Sequence, residues 1–337
     1  MIVTKTPLRV SLFCGGSDLP AFCELEDGAA FSFTINKFTY VCLHESSAPT
    51  VRVMFDTVQE TPDVSLIDHR ITKAALWYAD MGPGITVTSL SDITTRGSGL
   101  GSSSAFTVGL LLALAQTRTN FGRVHKTQFI FSHMLANLAC EIEINRSGYH
   151  IGRQDQYAAA LGGVNLFTFH PGGVVRQIVH HITPRTLAEL EDCLLLVHTG
   201  RPRQAEDMLA KQTSAFLMSD TKLALVRENR DRAFEAVSAL EQGNVARIGQ
   251  LLADSWSAKK SIVNEMTSFD IDSIYTRALG AGATGGKLLG AGGGGFFIFF
   301  VPPDQRSAVI DAIHKDPLCR CVAFGIHSHG SQVLLDV

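Results

Sequence analysis

Gly97-Ser98-Gly99-Leu100-Gly101-Ser102-Ser103-Ser104-Ala105 is the stretch on which the reading of this chain turns. Glycine alternates with small residues, and three serines then lead into the apolar run Ala105–Ala115. Glycine turns through positive φ without steric cost and lets a ligand approach the backbone closely. Serine suits a helix N-cap, and the apolar run is long enough for about three helical turns. The start of a helix presents unpaired N–H groups at the positive end of its dipole, which favours a phosphate. A flexible turn before a core helix is the plain alternative, so the rest of the chain has to decide.

The bulk composition narrows the field. At 337 residues there is room for two domains, and 45% hydrophobic against 18% charged residues describes an ordinary globular protein. A net charge of −3 gives no global attraction to nucleic acid or to an anionic membrane, so any basic site is local. Cys14, Cys23, Cys42, Cys140, Cys193, Cys319 and Cys321 are odd in number and mostly sit in apolar runs, which fits reduced thiols in the cytoplasm. Met1–Arg9 has no signal-peptide stretch, and no apolar run reaches the ~20 residues needed to span a bilayer.

Taken in order, Ile2-Val3 and Leu8–Phe13 read as strands bracketing Thr6-Pro7, and Cys14–Asp18 forms a glycine turn. Phe31–Leu43 alternates as a half-buried strand does, Val51–Phe55 is another strand, and 66–81 is a helix stopped by Gly82-Pro83-Gly84. A strand at Ile85–Leu90 delivers the chain to the glycine loop. Helices follow at 104–118 and 125–144, then strands at 164–169, 174–180 and Leu194–His198. Residues 204–265 read as long helices, and Phe296–Val301 as a buried strand. A helix at 303–315 and strands near 320–326 and 332–336 close the chain. Strands with helices in both halves predict an α+β fold divided between residues 180 and 205, drawn here as 1–190 and 191–337.

A second glycine cluster, Lys287-Leu288-Leu289-Gly290-Ala291-Gly292-Gly293-Gly294-Gly295-Phe296, contains a formal G-x-G-x-x-G. A dinucleotide fingerprint opens a helix, whereas Phe296–Phe300 reads as a strand. A Walker A loop fails too, with Ala281 at the first-glycine position and Leu288 at the Ser/Thr position. No H-R-D or D-F-G tripeptide occurs, which excludes the protein-kinase set. Cys319-x-Cys321 with His327-x-His329 lacks the usual room for a zinc site and is read as buried thiols and surface histidines.

Three motifs in order, Pro7–Ser11 with Gly15–Asp18, Gly97–Ala105 and Lys287–Phe296, resemble those of the GHMP kinases, the superfamily of galactokinase, homoserine kinase and mevalonate kinase. Within it the likeness is greatest to D-glycero-D-manno-heptose 7-phosphate kinases, through Thr6–Ser11, the Gly-Ser-Gly-Leu-Gly-Ser-Ser-Ser loop and Gly152–Ala160. Cys14 stands where the first motif usually has a third glycine, and Arg96 replaces a common proline. The resemblance implies an N-terminal domain like the second domain of ribosomal protein S5 and a ferredoxin-like C-terminal domain. It also implies ATP and Mg²⁺, and transfer of the γ-phosphoryl group to the C1 hydroxyl of a heptose 7-phosphate for nucleotide-activated heptose synthesis.

By the same resemblance Asp155 is the base and Arg9 the cation beside the acceptor. Gly97, Ser98, Gly99, Leu100, Gly101, Ser102, Ser103 and Ser104 hold the triphosphate, and Ser103 with Glu143 holds Mg²⁺, Glu141 being the rival if the alignment slips. Gly16, Ser17, Asp18, Gly292 and Gly293 are expected at the sugar. Arg153, Arg201 and Arg203 are candidates for its distal phosphate. The partners expected are a sugar phosphate and ATP, with no nucleic acid or membrane, and a homodimer is left open. The rivals are a kinase for fucose or galactose, and a non-catalytic sensor, which would be expected to lack one of Arg9, Ser103, Glu143 or Asp155.

Overall fold

The first strand, β1 (Ile2–Phe13), runs unbroken through Thr6-Pro7, where two strands were expected. Proline has no N–H to give a ladder, and the pairing slips between Pro7 and Leu8, so the break in the sequence is a bulge and not an end. The computed structural model describes residues 1–93, 97–117, 128–201 and 205–337. After a short helix α1 (Pro20–Cys23), β2 (Gly28–Glu45) returns antiparallel to β1. Its first eight residues are buried on both faces, not alternately, because helices from both halves of the chain pack on β1 and β2.

β3 (Val51–Met54), β4 (Val58–Thr61) and β5 (Ile85–Ser91) extend the sheet, with α2 (Arg70–Tyr78) between β4 and β5. β4 lies in a stretch to which the sequence reading assigned no element. α3 (Ser102–Gln116) is buried nearly all round and packs on β1 and β2. α4 (Gln128–Cys140) runs into a single π turn, Glu141–Arg146, and then come α5 (Gln154–Leu161), β6 (Val164–His170) and β7 (Val174–Ile178). The sheet order is β12-β1-β2-β5-β3-β4, with β6 and β7 continuing from the first half of β2.

α6 (Pro184–Cys193), absent from the sequence reading, starts at Thr183, whose side chain accepts from the Thr186 amide, with Pro184 at its first position. β8 (Leu194–His198) then opens a second, antiparallel sheet, β11-β8-β10-β9. Between its strands lie α7 (Ala205–Leu217), α8 (Asp220–Glu241), α9 (Arg247–Ile262) and α10 (Phe269–Gly280). β9 (Gly285–Leu288), β10 (Phe296–Phe300), α11 (Arg306–His314) and β11 (Arg320–Val322) complete it. β12 (Gln332–Asp336) crosses back and pairs with β1, although the sequence assigned those residues to the second half. The 190/191 division falls in α6, between the two sheets, and β12 is its exception. Among the described residues no helix is long and apolar enough to cross a membrane.

Candidate active site

Beyond its bulge β1 no longer pairs with β12, and the edge it exposes takes up the glycine loop: the Arg9 amide donates to the Leu100 carbonyl at 2.9 Å. The loop turns on Gly97, Gly99 and Gly101, with φ of 68°, 81° and 72°. Ser98 and Leu100 face inward and are buried. Leu100 thus contributes a carbonyl and a core side chain, and it is the one residue of 97–104 that does not line the cleft. Gly101 is the left-handed residue before α3, so the amides of Ser102, Ser103 and Ser104 open the helix, where N–H groups lack partners within it. They edge a cleft of about 280 Å³.

The second glycine cluster reaches that cleft from the other sheet. A Cβ on Gly99 would lie 2.6 Å from the Leu289 carbonyl oxygen, and one on Gly295 would lie 2.5 Å from that of Ser98. The Phe296 amide donates to the Ser98 carbonyl at 3.2 Å. These glycines let the two loops interlock, backbone on backbone. Gly290 and Ala291 line the cleft, whereas Gly292 and Gly293 do not. Gly292 lies close to the Met266 side chain, and the Gly293 amide donates to the Met266 carbonyl at 2.9 Å, so both face Met266 and not the cleft.

Arg9 and Asp155 meet at the centre. Nε and Nη2 of Arg9 donate to the two oxygens of Asp155 at 2.8 Å each, and Nη1 donates to the Gly99 carbonyl at 2.5 Å. Arg9 is 4% exposed, while the Asp155 side chain keeps a quarter of its surface open. A carboxylate held this way is fixed in orientation and still has a lone pair on each oxygen for a further proton. Its neighbour Gln154 accepts from Ser11, which ties α5 to β1.

The π turn decides between the two glutamates. Glu141 points outward to Asn145 and Arg146. Glu143 is fully buried and accepts from Ser103 (3.1 Å), Ser104 (2.7 Å), Thr107 (2.9 Å) and Gln156 (2.5 Å). Burial raises its pKa, and these hydrogen bonds oppose the rise. A carboxylate among hydroxyls, reached from the cleft through Ser103, is an oxygen donor set that suits Mg²⁺.

Around the first glycine turn the predicted residues separate. Asp18 and Gly16 line the cleft. Ser17 turns away and exchanges hydrogen bonds with the backbone of Ala29, so it fixes the turn to β2 and does not face the cleft. The Cys14 thiol donates to Asp18 at 2.9 Å and the Gln154 amide at 3.3 Å, while burial raises the Asp18 pKa. Gly152 is required here, since a Cβ would come within 1.8 Å of the Asp18 carboxylate. Arg153 turns toward the Gly173 carbonyl and is not in the cleft, and Arg201 is held by Asp316 at 2.8 Å. Arg203 and Arg96 lie outside the described residues.

Gln212, Lys259 and Lys287 are among the lining residues that had no role in the sequence reading. Gln212 on α7 donates to the Gly15 carbonyl at 2.6 Å. Lys259 on α9 donates to the carbonyls of Leu288 and Gly290. Lys287 donates to the Leu12 carbonyl at 2.8 Å. For Lys287 the signal was its place at the head of the glycine cluster; Gln212 and Lys259 sit in helical periodicity like any surface residue.

Two family models match the chain, GHMP kinases N terminal domain over residues 69–163 and GHMP kinases C terminal over residues 236–317. A D-glycero-alpha-D-manno-heptose 7-phosphate kinase of Campylobacter jejuni is 29% identical over 333 residues, 94% of each chain. A galactokinase of Pyrococcus furiosus is 27% identical over 292 residues, 77% of each chain. The crystal structure of a D-glycero-D-manno-heptose 1-phosphate kinase from Bacteriodes thetaiotaomicron matches with a TM-score of 0.78 over the whole of both chains. At 23% identity that match shows the fold alone.

Proposed function

Since the chain belongs to the GHMP kinases and is an ATP-dependent sugar kinase, we propose that its acceptor is D-glycero-D-manno-heptose 7-phosphate, phosphorylated at the anomeric C1 hydroxyl. The observation that carries this acceptor is the similarity to a heptose 7-phosphate kinase over 94% of each chain; in this chain Asp18, Gly152 and Asp155 line one cleft. The product is the 1,7-bisphosphate, the form required for nucleotide-activated heptose synthesis.

In this reading the amides of Gly97–Ser104 cradle the triphosphate of ATP, and the Asp155 carboxylate takes the proton of the C1 hydroxyl. The sugar oxygen forms its bond to the γ-phosphorus as the bond from that phosphorus to the β,γ-bridging oxygen breaks, and ADP leaves. Arg9 fixes the orientation of the Asp155 carboxylate through two hydrogen bonds and faces the developing charge. Asp18, fixed by Cys14 and Gln154, receives sugar hydroxyls. Mg²⁺ held by Ser103 and Glu143 would neutralise the phosphate charge. We retain the division near residue 190, with β12 returned to the first sheet. A cytoplasmic setting agrees with ATP as donor and with the free thiols of all seven cysteines.

A sensor without turnover is disfavoured because Arg9, Ser103, Glu143 and Asp155 converge. The similarity to a galactokinase keeps an unphosphorylated hexose as the competing acceptor. Phosphorus-31 NMR of reactions with ATP, Mg²⁺ and a panel of sugars and sugar phosphates separates them. A new anomeric phosphate signal is expected with heptose 7-phosphate; its appearance only with galactose or fucose would overturn the acceptor.

A further inference from the structure

Lys287 is a cation of the cleft that the phosphoryl-transfer scheme leaves without work. It is 4% exposed, on the buried strand β9, and it is one of the residues that line the cleft. The one hydrogen bond its ammonium makes among the described residues goes to the Leu12 carbonyl, and it sits 6.0 Å from the Phe13 ring centroid. The charged or titratable groups that act on it are Cys14 and Arg9 from β1 and the turn that follows, and Arg232 from α8. No carboxylate is among them. A buried ammonium whose neighbours are a neutral thiol and two guanidinium groups carries an uncompensated charge, which costs several kcal/mol unless an anion reaches it. Burial accordingly lowers its pKa to about 8.

The anion must come from the cleft. Leu12, Phe13 and Cys14 lead directly into Gly15–Asp18, the turn read as the sugar-binding turn, so Lys287 stands behind the acceptor. Both arginines expected at the acceptor phosphate within the described residues are engaged elsewhere, Arg153 at Gly173 and Arg201 at Asp316. We propose that Lys287 binds the phosphate monoester that the acceptor sugar already carries, and so selects a sugar phosphate over the free sugar. The inference rests on the sugar-phosphate reading above. Lys259 adds a second ammonium on the same wall, held by the Leu288 and Gly290 carbonyls.

The same phosphoryl chemistry could come from ATP, so the test measures both substrates. In Lys287→Met the KM for heptose 7-phosphate is expected to rise about 10- to 100-fold, the range for loss of a charge-assisted hydrogen bond, with the KM for ATP within about twofold. Lys287→Arg restores most of the affinity. Methionine removes a buried charge at similar length, so the variant is expected to melt at or above the wild-type temperature. In the wild type the KM for the sugar phosphate climbs as pH rises above about 8, because the anion needs the ammonium, while in Lys287→Arg it stays flat. An unchanged KM for the sugar phosphate in the methionine variant, or a rise confined to ATP, overturns the inference alone. A wild-type enzyme that shows no preference for heptose 7-phosphate over heptose takes down the acceptor reading as well, and that result is seen before any variant is made.

Discussion

Asp155 shares both oxygens with Arg9 and still opens to the cleft, a combination that separates proton transfer from binding. Asp155→Asn keeps the shape and can accept one of the two Arg9 hydrogen bonds, but it has no negative charge for a proton to join. The expected outcome is a folded protein with unchanged ATP affinity by calorimetry and a kcat lower by about 10²–10⁴. Turnover near wild type would remove Asp155 from the role of base. At this scale the sequence named the right neighbourhood more reliably than the right side chain. Ser17 and Asp18 are adjacent polar residues in one turn, and nothing in their order says that the first faces Ala29 and the second the cleft. Glu143 turns inward and Glu141 outward because of a π turn, whose wider hydrogen bonding has no residue signature. Lys287 was legible as a position but not as a charge, because burial without a counterion is a property of the packed molecule.

Between elements, the decisive contact is the interlock of the two glycine loops. Gly99 has φ +81° and an oxygen where its Cβ would stand, so Gly99→Ala combines backbone strain with a clash against Leu289. We expect a loss of about 1–3 kcal/mol in denaturant unfolding and a KM for ATP at least tenfold higher. Gly82→Ala, with nothing within 4 Å of its would-be Cβ, is the control and should change neither. A Gly99→Ala protein with wild-type ATP kinetics would show that the loops need not meet. Glycine density announced both loops in the sequence, yet it could not say that much of their glycine serves loop against loop and not loop against ligand. Other elements were hidden for local reasons. Proline at a bulge looks like a strand end, and the Thr183-Pro184 start of α6 is too short a signal to separate a ten-residue helix from a loop.

For the molecule as a whole, the buried carboxylate of Glu143 trades stability for function. Its folded pKa is raised, chiefly by burial, so its contribution to stability is fully present below the unfolded value and is lost as pH rises through the folded one. Where it is ionised, its buried charge is a net cost that a cation would offset. Glu143→Gln, unliganded at pH 7.5, is therefore expected to melt no lower than wild type in scanning calorimetry. Wild type should gain melting temperature on adding Mg²⁺ with a non-hydrolysable ATP analogue, and the variant should gain much less. An equal gain in both would dissociate Glu143 from the metal. The α+β class and the ordered motifs were legible because both rest on local pattern; the shared core was not, since α8 of the second half covers strands of the first.

The pairing of β12 with β1 also sets a timetable. Thr6 and Ser331 meet across 325 positions, so the ribosome must deliver nearly all of these residues before the Ile2–Lys5 edge of β1 is covered. A nascent chain that has already made both glycine loops therefore still carries an open strand edge, and a release that cuts off β12 leaves a template for self-association. Synthesis itself keeps the sheet that carries Arg9 from closing early.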